Sequence, residues 1–140
     1  MVCIYCGHKT KVTNSRSSTK SLSTWRRREC LNCHSVFTTR EEADLSAALR
    51  VQDIDGSLEA FSRDLLLLSI HNALVHSSSR KTPLADSSEL TDTIITRFTG
   101  LHIKGIIKTG TIAGVTHQTL ERFDRLAADL YKAHHSVHFK

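Results

Sequence analysis

Cys3-Ile4-Tyr5-Cys6-Gly7 and Cys30-Leu31-Asn32-Cys33-His34 decide how the first part of this 140-residue chain folds. Zinc takes four ligands in a tetrahedron, and two thiolates separated by two residues bind as a pair because one tight turn aims both sulfurs at the ion. Gly7 suits the positive φ that commonly follows such a turn. All four cysteines of the chain lie in these two pairs, so none remains for another purpose. Between Cys6 and Cys30 lie 23 residues, a reasonable length for a ribbon whose connecting strands project from the metal. The spacing predicts one structural zinc ion held by Cys3, Cys6, Cys30 and Cys33. Disulfides or a redox C-x-x-C are the competing readings, and both need a different redox setting. His8 and His34 follow the knuckles and are expected to serve at the surface or as hydrogen-bonding groups, since four thiolates already complete the site.

Around these knuckles, residues 1–40 carry eight basic side chains against Glu29 alone, while residues 41–140 carry 11 basic and 13 acidic ones. The front piece is basic and the back is close to neutral, which matters more than the total charge of +5. The front piece also holds few large aliphatic residues, so it needs a metal cross-link to stay folded. Short strands are expected at residues 11–13, 22–28 and 36–39. Trp25-Arg26-Arg27-Arg28 runs directly into the second knuckle. In a strand, Arg26 and Arg28 would share one face and Arg27 the other. Arginine offers a planar fork suited to phosphate and guanine edges, and Trp25 can pack on an aliphatic stem or a base. With Lys11 and Arg16 extending the cluster, double-stranded DNA is the expected partner. A solvated basic face and a protein-docking ribbon are the alternatives.

Beyond residue 44 the pattern changes to helical spacing, which predicts a second domain over 45–140. Asp55-Gly56, flanked by Leu49, Val51, Leu58 and Phe61, reads as a two-residue hairpin turn. Ser62 is placed to cap a helix through Leu65, Leu66, Ile70 and Leu74, ended by the polar run before Pro83. Asp86 and Glu89 read as a capping box opening a second helix through Leu90, Ile94, Ile95 and Phe98, with Gly100 as its stop. Leu120, Phe123, Leu126, Ala127, Leu130 and Tyr131 predict one last helix. His134, His135 and His138 read as a solvated tail. The expected fold class is therefore α+β, a small zinc-ribbon β domain followed by a mainly helical domain with a short hairpin.

The ribbon resembles the NrdR family of bacterial transcriptional repressors, which control ribonucleotide reductase genes. The resemblance runs from Cys3-x-x-Cys6 through Val12-Thr13-Asn14-Ser15-Arg16 and Arg26-Arg27-Arg28-Glu29-Cys30-x-x-Cys33 to Phe37-Thr38-Thr39-x-Glu41. The family has Asp where this chain has Asn14, and arginine where it has Val36. Family members carry an ATP-cone behind the ribbon. Val51, Asp55, Gly56, Glu59 and Phe61 fall on the cone's opening motif, and Arg80-Lys81-Thr82-Pro83 resembles the basic turn after its first long helix. The resemblance thus implies nucleotide contacts at Val51, Asp55, Gly56, Phe61, Arg80 and Lys81, with ATP or dATP as effector and a homo-oligomer binding repeated promoter boxes. Ala128 to Tyr131 departs from the family's aromatic and arginine-containing run, and three positions depart from the cone's nucleotide-facing pattern. Asp53 and Ile54 stand where Lys and Arg are usual, and Leu65 stands where lysine is common, which removes cations that would meet a triphosphate.

These readings imply a zinc-dependent DNA-binding repressor whose assembly answers to ATP or dATP. A protein-docking ribbon with a non-sensing cone is the rival. No catalytic role is expected, because four thiolates leave zinc no open position for water and no acidic dyad or Ser-His pairing stands out. No window approaches the roughly 18 apolar residues of a membrane helix, and Met1-Val2-Cys3 is unlike a signal sequence. A cytoplasmic, nucleoid-associated protein of bacteria is expected.

Overall fold

The computed structural model describes residues 1–19, 22–77, 82–101 and 105–139. They divide into two compact units, Met1–Ala43 and Asp44–Lys140. The fold is α+β, with a β-sheet unit followed by a mostly helical one.

In the first unit, β1 (Thr10–Ser18), β2 (Ser23–Cys30) and β3 (Val36–Glu42) form an antiparallel sheet in the order β1-β2-β3. The β1 strand is longer than residues 11–13 because Asn14 to Ser18 are polar and exposed, so no hydrophobic alternation marks them. Its pairing with β2 shifts between Val12 and Asn14, leaving Thr13 as the extra residue of a β-bulge. Ile4, Tyr5, Val12, Leu31 and Val36 are all exposed, while the buried side chains are Cys3, Ser23 and Cys30. The sheet has no apolar core of its own among the described residues.

The second unit is built the opposite way. A short α1 (Leu45–Ala48), capped by the Asp44 carboxylate, leads into β4 (Arg50–Gln52) and β5 (Leu58–Ala60). The hairpin loop has three residues, not the expected two. The Gly56 amide donates to the Asp53 carbonyl and the Asp53 amide to the Ser57 carbonyl, with Gly56 at φ +86°. That is a type I turn closed by a glycine bulge. The α2 helix (Arg63–His76) starts where Ser62 accepts from the Leu65 amide. The α3 helix (Pro83–Thr99) starts three residues before Asp86, so Asp86 lies in the first turn and is not a cap. Proline at the first helical position needs no N–H partner and carries a helical φ, which overrides the Asp86/Glu89 signal.

An unforeseen strand follows. The β6 strand (Ile106–Lys108) pairs parallel to β4, giving the sheet order β5-β4-β6. The predicted last helix is two helices, α4 (Thr109–Phe123) and α5 (Arg125–His134). Asp124 sits between them in an extended conformation and caps α5 by accepting from the Ala127 amide at 3.1 Å. The Ser77 hydroxyl donates to the same carboxylate at 2.8 Å, tying the break to the end of α2. A short 3-10 turn, Ser136–Phe139, then packs back on α4.

The core joins the inner faces of α2 to α5 with Leu49, Phe61 and Ile107 from the sheet side. Phe61 meets Phe98 edge-on at 5.5 Å. Buried Thr91, Thr116 and Thr119 each donate to the carbonyl four residues earlier at 2.7 Å, so these hydroxyls cost little inside the core. Among the described residues, no helix is long and apolar enough to cross a membrane.

Candidate metal centre and nucleic-acid interface

The two knuckles share one geometry. The Cys3 amide donates to the His8 carbonyl at 2.8 Å, and the Cys30 amide donates to Ser35 at 3.0 Å, closing each loop. Gly7 follows the first knuckle at φ +74° and His34 follows the second at φ +56°. The Tyr5 amide points at the Cys3 sulfur from 3.4 Å, as the Asn32 amide does at Cys30. At Cys30, hydrogen bonds from the Cys33 and Asn32 amides hold the thiol below its ordinary range.

The four sulfurs all lie within 4.8 Å of one another. Separations of 3.7 Å for Cys3–Cys33, 3.5 Å for Cys6–Cys30 and 3.4 Å for Cys6–Cys33 are close to the edge of a tetrahedron around zinc. Zn–S bonds of about 2.3 Å imply sulfurs about 3.8 Å apart. The donor set fits a structural zinc ion and no other ligand is needed. His8 and His34 are both exposed, and His34 Nδ1 lies 3.7 Å from the Glu29 carboxylate. Hydrogen bonds from the Ser35 hydroxyl and amide lower the Cys33 thiol to about 6. Cys6 moves the other way, to about 11: a backbone hydrogen bond near His8 opposes the shift, while burial and the neighbouring thiols drive it. Four sulfurs this close cannot all be anions without a cation, which is the charge a zinc ion supplies.

The strand register sorts the basic residues onto two faces. Trp25 lies opposite Arg16 on β1 and Arg40 on β3, and Arg27 lies opposite Asn14 and Thr38. Directly opposed residues share a face. One face therefore carries Lys11, Arg16, Trp25, Arg27 and Arg40. The Arg16 guanidinium sits 5.7 Å above the Trp25 ring. Arg27 is exposed and its guanidinium has no partner among the described residues. Lys11 is paired with Glu29 at 3.1 Å and Arg40 with Glu42 at 2.7 Å. On the opposite face, Arg26 is ion-paired with Glu41, and the Arg28 Nε donates to the Thr39 hydroxyl at 3.0 Å. Arg40 and Ser35 escaped the sequence reading; strand pairing across three strands was the signal that could have found Arg40.

In the second unit, Val51 lies on β4 and Phe61 follows β5, and both line one cavity. Asp55 and Gly56 instead make the turn, where hydrogen bonds from the Ser57 hydroxyl and amide hold the Asp55 carboxyl below its usual range. Gly56 faces a separate groove with Asp53, Ile54 and Lys108. Arg80 and Lys81 lie outside the described residues. The histidine tail is not simply solvated. His138 is largely buried, and its Nδ1 has no hydrogen-bond partner among the described residues.

The chain is thus a two-unit protein in which a basic sheet beside a four-cysteine centre that fits zinc is followed by a mostly helical unit. A family model described as the transcriptional repressor NrdR-like N-terminal domain matches residues 1–41. A protein of Anaplasma marginale named transcriptional repressor NrdR is 36% identical over 130 residues, covering 91% of this chain and 82% of that protein. Another so named, from Heliobacterium modesticaldum, is 40% identical over 95 residues, covering 67% of this chain and 60% of that protein. A third, from Desulforapulum autotrophicum, is 32% identical over 128 residues, covering 91% and 74%. The chain belongs to the NrdR family of transcriptional repressors.

Proposed function

We propose that this chain is a zinc-dependent repressor that binds double-stranded DNA in promoters, those of ribonucleotide reductase genes being the expected targets. The observation that carries the reading is the cross-strand row Arg16, Trp25 and Arg40 with Arg27, whose guanidinium has no partner among the described residues, beside it. These cations face one way on a sheet anchored by the cysteine cluster, which suits a phosphate backbone. Arg26 and Arg28 hold β2 to β3 on the other face and contribute less to DNA contact. The second unit sets assembly, with ATP or dATP as effector and a homo-oligomer as the DNA-bound form. Nucleotide can do so only by favouring one assembly over another. The protein then works in the bacterial cytoplasm at the nucleoid.

A protein-docking ribbon has one observation in its favour, the exposed Ile4, Tyr5 and Leu31 at the knuckles. The test is binding of the zinc-loaded chain to reductase promoter DNA by fluorescence anisotropy, first without nucleotide and then with ATP or dATP. Specific binding that changes with nucleotide supports the whole reading. Absence of specific binding, with a protein partner retained after nuclease treatment, favours docking.

A further inference from the structure

The four sulfurs of the cysteine cluster are not equally reachable. Cys3 and Cys30, which open the two knuckles, are buried at 3% and 0% exposure. Cys6 is half-buried, and Cys33 is exposed. These two close their knuckles, and their sulfurs approach to 3.4 Å. One edge of the cluster is therefore the part open to solvent, and that edge joins the first knuckle to the second.

Exposure decides which sulfur an oxidant meets. The thiolate is the reactive form of cysteine, and oxidation follows thiolate character and access. An oxidised sulfur then needs a second thiolate within reach to form a disulfide. No cysteine lies outside the cluster, so that partner must be another of its members. Cys3 Sγ lies 3.7 Å from Cys33 Sγ but is buried. Cys30 is fully buried, and its sulfur accepts the Asn32 and Cys33 amides at 3.4 and 3.5 Å, which hold it inward. Cys6 is both close and partly open. A disulfide needs sulfurs about 2.05 Å apart, so the 3.4 Å pair must close by about 1.4 Å.

We propose that the Cys6–Cys33 edge is a peroxide-reactive site, at which hydrogen peroxide converts the two thiolates to a disulfide and the cluster gives up its zinc ion. Cys33 Sγ attacks one peroxide oxygen; an S–O bond forms, the O–O bond breaks and hydroxide leaves. Cys6 Sγ then attacks the Cys33 sulfur; the S–S bond forms, the S–O bond breaks and a second hydroxide leaves. Each sulfur loses one electron, the peroxide gains both, and two protons from solvent turn the hydroxides into water. Cys3 and Cys30 remain as ligands, too few for a four-coordinate structural site. The new bridge still ties one knuckle to the other, so the ribbon keeps a cross-link and a thiol reductant can reverse the step. The inference rests on the reading of the cluster as a zinc site and gives the ribbon an input separate from nucleotide.

Treatment of the full zinc-loaded chain with hydrogen peroxide tests it, with zinc release read by a chelating dye and disulfides located by mass spectrometry of unreduced peptides. About one zinc ion should be released per peroxide consumed, together with a Cys6–Cys33 bridge. Dithiothreitol with added zinc should restore the loaded form. Cys33→His keeps four ligands, three thiolates and an imidazole. It should release zinc about tenfold more slowly or less, whereas Cys3→His, which leaves the open pair in place, should stay sensitive. The bridge found in the wild-type chain decides the pairing even where a variant fails to load. Zinc retained with four intact thiols overturns the proposal and leaves the zinc reading standing, whereas a chain that binds no zinc overturns both. A bridge within one knuckle, Cys30–Cys33 or Cys3–Cys6, overturns the proposal, and so does zinc release from loaded Cys33→His as fast as from wild type.

Discussion

Among the described residues, positions 1–43 bury two cysteines and a serine, whereas the second unit gathers sixteen buried apolar side chains into one cluster. The ribbon leaves Ile4, Tyr5, Val12 and Leu31 in solvent, so hydrophobic burial cannot hold its strands. Its cross-link is the cysteine cluster, which fits a zinc ion, and that ion is expected to order it. The helical unit depends on side-chain volume. One chain thus uses two sources of stability, and each can be removed without touching the other.

Removing the metal should have the largest effect. Structural zinc sites supply roughly 10–16 kcal/mol of folding free energy. Chelation, or Cys30→Ser, should collapse the dispersed amide resonances of residues 1–43 and leave those of 44–139 in place. Dispersion retained throughout the ribbon after complete zinc removal would contradict the comparison. Protons compete with zinc for the same sulfurs. Binding must take the proton from Cys6, raised to about 11, whereas Cys33, lowered to about 6, is largely ionised at neutral pH. Zinc affinity should therefore rise with pH, with proton release measurable by calorimetry in buffers of different ionisation heat.

Core truncation breaks the other half. Phe98→Ala should cost about 3–5 kcal/mol in urea denaturation of the second unit, because Phe98 is fully buried against Phe61. Zinc affinity should not change. A smaller loss, about 1–2 kcal/mol, is expected for Asp124→Ala, which removes the α5 cap and the Ser77 contact together. The smallest effect sharpens the ribbon side. His34 holds φ +56° where the first knuckle has Gly7. His34→Gly should relieve that strain and stabilise the zinc-bound form by up to about 1 kcal/mol, read by competition with a chelating dye. A clear loss of affinity would show that the His34 contact with Glu29 outweighs the backbone term.

Much of this was legible in the sequence, for identifiable reasons. The paired C-x-x-C motifs point to a four-sulfur cluster because a knuckle is a local turn, and Ser62 and the stripes of α2 and α3 are local as well. The failures are where distant or competing terms decide. β6 pairs in parallel with a strand more than fifty residues earlier, and three residues carry no pattern of their own. The start of α4 is rich in Thr and Gly, weak helix formers that tertiary packing overrides. The apolar spacing runs smoothly through Asp124, so one helix was expected where a cap divides two. The arginine run announced a basic ribbon, but which arginines share a face with Trp25 follows from a register that a bulge at Thr13 helps to set.

The most direct test of the central claim is the salt dependence of promoter DNA binding by the zinc-loaded chain, compared between Arg16→Ala/Arg27→Ala and Arg26→Ala. Each lost phosphate contact reduces the slope of log affinity against log salt by about 0.9. The account predicts a slope lowered by nearly 2 for the double variant, about 1.8 by that rule, and little change for Arg26→Ala. An unchanged slope for the double variant, or a larger drop for Arg26→Ala, would contradict the assignment of the Trp25 face to DNA.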